Sequence, residues 1–265
     1  MTFSKFMIGV TVFCVTALPA ASSTIAPLMH DLEPSELSNS MQLQKTHMLV
    51  LKCMTDDFKV RQSRIAVLDV GREGQWRRHD AALVSGHGLQ APEGGISENC
   101  FVQDFEGSTE PVVIKRLAPN YTPGKAADWG VITFKRVKTP NLIRYSLRSM
   151  PWSKFSAVGH EVQFAQARGL PENSQSCNLL ERKYAGFTGD GFEGVFAHTC
   201  RAISGQSGAP LSLRYGGANV LVGIHLGHSW MLRAPVTGRP TNQAYMRALD
   251  DKMIGQIHTI LDEIK

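Results

Sequence analysis

The chain has 265 residues, enough for one large or two small domains. Its 24 glycines and 13 prolines, with few long helical patterns, favour an all-β protein. The formal charge of +5 is carried by scattered Lys and Arg, with no basic block and no aromatic interleaving. That pattern argues for a solvated basic surface and against a nucleic-acid or membrane-surface partner.

Residues 1–22 read as a secretory signal peptide. Lys5 supplies the positive start, 6–18 is apolar, and Leu18-Pro19-Ala20-Ala21-Ser22-Ser23 offers small residues for cleavage. The apolar run falls short of the ~20 residues of a spanning helix, and no later run reaches that length. The mature protein is expected to be secreted or periplasmic, with no stable membrane association after signal cleavage; an uncleaved anchor is the alternative. Residues 23–45 are polar and turn-rich, and are expected to be an N-terminal arm or a pro-segment.

Cys14 lies in the signal segment, which leaves Cys53, Cys100, Cys177 and Cys200. An even count in an oxidising compartment suggests two disulfides. Three pairings are open. Sequential pairing is expected, because two cysteines fall in each half of the chain. A Cys177–Cys200 bridge would close a loop of about 24 residues and contribute roughly 3–4 kcal/mol. No CxxC or HExxH spacing occurs, so no metal is expected.

Short strand signals recur from residue 47: 47–53, 64–70, and 76–84 after the turn Gly71-Arg72-Glu73-Gly74. The third run leads into Ser85-Gly86-His87-Gly88. A strand at 112–117 is followed by the turn-rich loop Ala118-Pro119-Asn120-Tyr121-Thr122-Pro123-Gly124-Lys125. Then comes Ala127-Asp128-Trp129-Gly130-Val131-Ile132-Thr133-Phe134. An Asp directly ahead of a buried strand is costly to desolvate without a partner, and a histidine N–H is one such partner. Residues 137–150 break the pattern. Further runs follow at 156–165, 177–182, 192–200, 210–215 and 219–226. Ile254, Ile257, Ile260, Leu261 and Ile264 have helical spacing after Asp250-Asp251, a suitable N-cap region.

The stretch richest in chemistry is 196–211, centred on Gly205-Gln206-Ser207-Gly208-Ala209-Pro210. A serine in a Gly-flanked turn between strands can be held out into a cleft. The same turn can aim the N–H groups of Gly205 and Ser207 at one point, an oxyanion hole.

This turn resembles the Gly-Asp-Ser-Gly-Gly-Pro nucleophile turn of trypsin-like serine peptidases of the chymotrypsin fold, in a bacterial-type branch, with Gln206 and Ala209 as departures. The Pro-Asn-Tyr loop followed by Asp128 and an apolar strand is similar to the same family, as is the strand Val222-Gly223-Ile224-His225-Leu226-Gly227. The resemblance covers roughly residues 46–265. It implies two packed six-stranded antiparallel β-barrels: the first over 46–140 with His87 and Asp128, the second over 141–249 with Ser207, and a C-terminal helix at 250–265. It also implies a His87, Asp128, Ser207 triad that hydrolyses peptide bonds through an acyl-enzyme. Val84-Ser85-Gly86-His87-Gly88 departs from the family's Thr-Ala-Ala-His-Cys, with His79 as the rival base.

Substrate-binding residues would be Arg201, Ala202, His225, Leu226 and Gly227. Arg201 stands where an Asp would mark a preference for basic side chains, which disfavours that preference. His225 is similar to the histidine by which glutamyl-endopeptidase-like members receive an acidic side chain, and is otherwise a structural residue. The resemblance implies no cofactor, a protein or peptide substrate, and a monomer. A catalytically silent peptidase-fold binding protein is the alternative. A Gly-x-Ser-x-Gly hydrolase is excluded by Ala209 and by the absence of a βαβ rhythm before Ser207.

Overall fold

The computed structural model describes residues 49–55, 59–91, 94–104, 106–139, 142–147, 161–165, 174–180, 191–200, 202, 204–215, 218–229 and 243–264. The expected signal peptide, the 23–45 segment and Arg201 lie outside these residues. Six strands form the first unit: β1 (Val50–Met54), β2 (Val60–Val67), β3 (His79–Ser85), β4 (Cys100–Gln103), β5 (Thr109–Leu117) and β6 (Trp129–Lys135). They close into a barrel in the order β1-β2-β3-β6-β5-β4, every pairing antiparallel.

Side chains alternate across a strand, yet 81–84 reads as one apolar run. Both faces are buried. Ala82, Val84, Ile132 and Phe134 fill the barrel interior. Ala81, Leu83, Trp129 and Val131 point the other way, into a core shared with the second unit.

That second unit contains β7 (Ser146–Leu147), β8 (Glu161–Ala165), β9 (Ser174–Leu180), β10 (Val195–His198), β11 (Pro210–Tyr215), β12 (Ala218–Ser229) and β13 (Gln243–Ala248). Six of them run β11-β8-β9-β10-β13-β12, and an antiparallel β11–β12 pairing closes the ring. β7 is added outside the ring, parallel to β12. Leu179, Phe196, Leu211, Val222 and Met246 fill the interior.

The β11–β12 register shifts between Leu211 and Ser212, so that Val222 is the extra residue on its strand. This bulge reverses the alternation. Leu221, Ile224 and Leu226 therefore all reach the core shared between the units.

The helix α1 (Asp251–Glu263) seals the same shared core with Met253, Ile257, Ile260 and Leu261. Asp250 caps it by accepting a hydrogen bond from Met253 N at 2.8 Å. This is the C-terminal helix that the isoleucine spacing predicts. The fold as a whole is the expected one: mostly β, two ring-closed antiparallel units and one C-terminal helix.

Several boundaries differ from expectation. Residues 74–77 form a 3-10 turn, so the third strand starts at His79 and not at Trp76. β2 begins at Val60, earlier than the expected 64, in a stretch whose first three residues are exposed and include only one apolar side chain, Val60. The break at 137–150 holds a two-residue strand, β7.

Candidate active site

His87 sits in the 3-10 turn 86–88 that ends β3, and Asp128 immediately precedes β6, the neighbour of β3. Strand pairing therefore brings two residues 41 positions apart side by side. His87 Nδ1 lies 2.8 Å from Asp128 Oδ2, and His87 N donates to Asp128 Oδ1 at 2.8 Å. Gly124 N, in the loop before β6, donates a third hydrogen bond to Oδ2 at 2.7 Å. The Asp128 side chain is 0% exposed and that of His87 is 34% exposed. Three N–H donors offset the desolvation of the carboxylate. A carboxylate only accepts, so the proton on this bond sits on Nδ1 and leaves Nε2 as the basic atom. The rival, His79, lies at the other end of β3 and contacts Gln75 O at 3.3 Å.

The glycines that flank His87 have a steric cause. A Cβ on Gly86 would run into the Tyr121 ring and sit 3.1 Å from Asp128 Oδ1. A Cβ on Gly88 would meet Ser63 Oγ at 2.7 Å and Ser85 Oγ at 3.1 Å. Tyr121 lies over Gly86 and donates from its hydroxyl to Gln90 Oε1 at 3.1 Å. Burial first, and the Asp128 charge second, push the Tyr121 phenol well above its ordinary value. The same two causes raise Tyr245. Tyr245 and Gln90 escape sequence reading because neither belongs to a motif, whereas Tyr121 and Gly124 stand in the Pro-Asn-Tyr loop ahead of Asp128, which gives no sign of the ring's cover or the main-chain donor.

Ser207 belongs to the turn between β10 and β11. Gly205 and Gly208 adopt φ +84° and +83°, the left-handed region that favours glycine. Gly208 N donates to His225 O at 2.6 Å, His225 N donates to Ala209 O at 2.9 Å, and Ala209 N donates to Gln206 O at 2.9 Å. The turn is thus fastened to β12. It is also fastened to the first barrel, where Arg64 N on β2 donates to Ser207 O at 2.8 Å.

A Cβ on Gly208 would overlap Arg64 O and lie 3.1 Å from Ser85 N. The serine turn therefore rests on backbone two residues from His87. Its hydroxyl donates to Leu226 O at 3.3 Å, and among the described residues no hydrogen bond joins it to His87. Neither Gly205 N nor Ser207 N donates to a described acceptor.

The expected substrate-binding residues divide. Leu226 and Gly227 lie on β12, and Leu226 presents its carbonyl to Ser207. Ala202 is buried in the second barrel's core. His225 is 1% exposed, and its Nδ1 lies 3.0 Å from Nε2 of His198, itself 1% exposed. His198 is a partner that sequence spacing does not reveal.

Disulfides join Cys53 to Cys100 and Cys177 to Cys200. Cys53 and Cys100 face each other on β1 and β4. The Cys177–Cys200 bridge ties β9 to the segment that leads into the serine turn. Sγ of both and a ring nitrogen of His198 lie within 4.8 Å of one another, but sulfurs joined in a disulfide are not thiolate ligands.

No family model and no curated protein matches the chain. Solved structures do. Kallikrein-related peptidase 10 in complex with Zn2+ is 14% identical, with 83% of this chain and 96% of that one aligned at a TM-score of 0.54. HL collagenase is 12% identical over 83% and 94%, with a TM-score of 0.58. Protease Anisep from Arthrobacter nicotinovorans is 10% identical over 81% and 94%, with a TM-score of 0.54. The chain therefore has the two-barrel fold of trypsin-like serine peptidases. At such identities the likeness defines the fold, and the chemistry rests on the chain's own residues.

Proposed function

We propose that the protein is an exported serine endopeptidase. In this reading Ser207 Oγ attacks the scissile carbonyl while His87 Nε2 takes its proton. The tetrahedral oxyanion is held by the N–H groups of Gly205 and Ser207. Collapse of that intermediate breaks the peptide bond, and His87 passes the proton to the leaving amine. Water, deprotonated by the same imidazole, then frees the acyl group. Asp128 fixes the imidazole tautomer and stabilises its charged form. Leu226 and Gly227 on β12 take the substrate backbone, Arg201, Ala202 and His225 are proposed to set its side-chain preference, the last two from behind that edge, and the residues up to 22 direct export.

The observation that carries this reading is the seam contact. It sets the glycine-flanked serine turn on the backbone of β2 and the end of β3, beside a buried carboxylate bonded to an imidazole. The bond from Ser207 to Leu226 O favours a second reading, a peptidase-fold binding protein without turnover. For an enzyme this bond is a resting state, because serine–histidine hydrogen bonds are often long until substrate arrives.

Purified secreted protein incubated with a diverse peptide library separates the two. An endopeptidase cleaves, reports its side-chain preference in the products, and falls silent as Ser207→Ala. Intact peptides with well-folded wild-type protein would favour the binding role.

A further inference from the structure

The end of β3 and β6 remote from His87 and Asp128 takes no part in this chemistry. Each strand is seven residues long, which puts that end roughly 20 Å away. Asp80, at the start of β3, is 0% exposed. Arg144 donates to it from Nε and Nη2, at 3.2 and 3.1 Å to Oδ1 and 2.9 Å to Oδ2. Arg136 Nε lies 3.3 Å from Oδ1. Arg136 Nη2 also donates to Gly71 O at 3.2 Å and Trp76 O at 2.7 Å. One buried carboxylate thus fixes two guanidinium groups, and one of these fastens the turn that carries Arg72 and Arg77.

Arg72, Arg77, Arg136, Lys138 and Arg144, together with Thr139, line a cavity of about 530 Å³. That size lies within the roughly 300–1,000 Å³ of small-molecule sites. The cations come from three separate chain segments, and two of them suffice for Asp80. Arg72, Arg77 and Lys138 are exposed and form no ion pair among the described residues.

The neighbouring acids lie at the cavity's edge and not among its lining residues. Asp104 Oδ2 accepts from Thr139 Oγ1 at 3.2 Å, and its Oδ1 accepts from Glu106 N and Ser108 N. Asp69 and Glu73 line the adjoining cavity, which Arg72 also borders. Five cations around one concavity, against one buried carboxylate, repel one another at a cost that a bound anion offsets. Four of the five are arginines, whose planar forks match the paired oxygens of phosphate and sulfate.

We propose that this cavity is a binding site for a compact polyanion carrying two or more phosphate or sulfate groups, separate from the peptide cleft. The test is calorimetric titration of the full secreted protein with tripolyphosphate at low ionic strength. Saturable one-to-one binding is expected. It should weaken steeply with added salt and be far tighter than binding of inorganic phosphate.

The triple variant Arg72→Ala, Arg77→Ala, Lys138→Ala should bind at least tenfold more weakly at an unchanged melting temperature, since none of the three touches Asp80. Arg72→Glu alone should weaken binding in the same direction. A sulfated disaccharide titrated in parallel distinguishes the sources: equal binding assigns the site to either oxyanion, weaker binding to phosphate. Absence of saturable binding, or a triple variant that binds like wild type, overturns the proposal. Ser207→Ala should bind normally, so the result stands apart from any test of peptidase activity.

Discussion

Gly205 and Gly208 share a backbone conformation but not a neighbourhood. Among the described residues nothing lies closer than 3.9 Å to a Cβ on Gly205, whereas a Cβ on Gly208 strikes Arg64 O. Gly205→Ala should therefore cost only the left-handed penalty of about 1–2 kcal/mol. Gly208→Ala should cost more, because the serine turn must also lift off β2. Urea unfolding of the two variants checks the order. Gly86→Ala should displace the Tyr121 ring and lower kcat with little loss of stability, through the ring's contact with the Asp128 pocket. Asp128→Asn should lower kcat by about 10⁴ while the fold persists, by analogy with the Ser-His-Asp template; a loss below tenfold would remove Asp128 from the mechanism. Ser207 and Asp128 stand out in the sequence because each belongs to a short motif with a steric reason. The glycines beside His87 look like a flaw in the motif until Tyr121, more than 30 residues away, is seen to fill the space beside Gly86, and Ser63 with Ser85 the space beside Gly88.

Elements whose partners are local in sequence were the easiest to anticipate. Helix α1 follows from isoleucine spacing and an acidic cap, and burying one such side chain contributes ~1.5–3 kcal/mol. Asp250→Ala removes the cap and also the 2.9 Å ion pair with Arg247. It should cost toward the upper end of the roughly 0.5–2 kcal/mol of a lost cap, read as a lower denaturation midpoint. Joint replacement of Cys177 and Cys200 by Ala should cost about 3 kcal/mol and loosen the segment leading to the serine turn. β4 and β13 had no comparable signal. β4 has four residues, two of them only half-buried, and β13 takes its place from long-range pairing with β10 and β12. The bulge at Val222 is likewise invisible in a sequence that reads as unbroken apolar strand.

At the scale of the whole molecule, the core shared by β3, β6, β12 and α1 fixes how the two rings meet, and the serine turn rests on the backbone of Arg64 and Ser85, two residues before His87. The same burial makes the protein sensitive to alkali. Tyr121, Tyr145 and Tyr245 all have phenols raised above the ordinary value of 10.0, chiefly by burial. Their folded-state protons are held more tightly than those of the unfolded chain. The stability they contribute is complete below pH 10.0 and is lost as pH rises through the raised values. The unfolding free energy should therefore fall as pH climbs above 10, with a smaller slope in Tyr145→Phe. The two-barrel plan was legible because the serine turn, the Pro-Asn-Tyr loop and the 222–227 strand resemble one family whose fold they imply. The contact of Gly208 with Arg64 was not, because it joins two backbones.

The central claim is that His87 activates Ser207 across this seam. Its most direct measurement is the rate at which a fluorophosphonate labels the purified protein, with the modified residue located by mass spectrometry. Labelling confined to Ser207 and lost in a folded His87→Ala variant is the predicted result. No labelling of well-folded wild type, or labelling of Ser207 at an equal rate without His87, would contradict it.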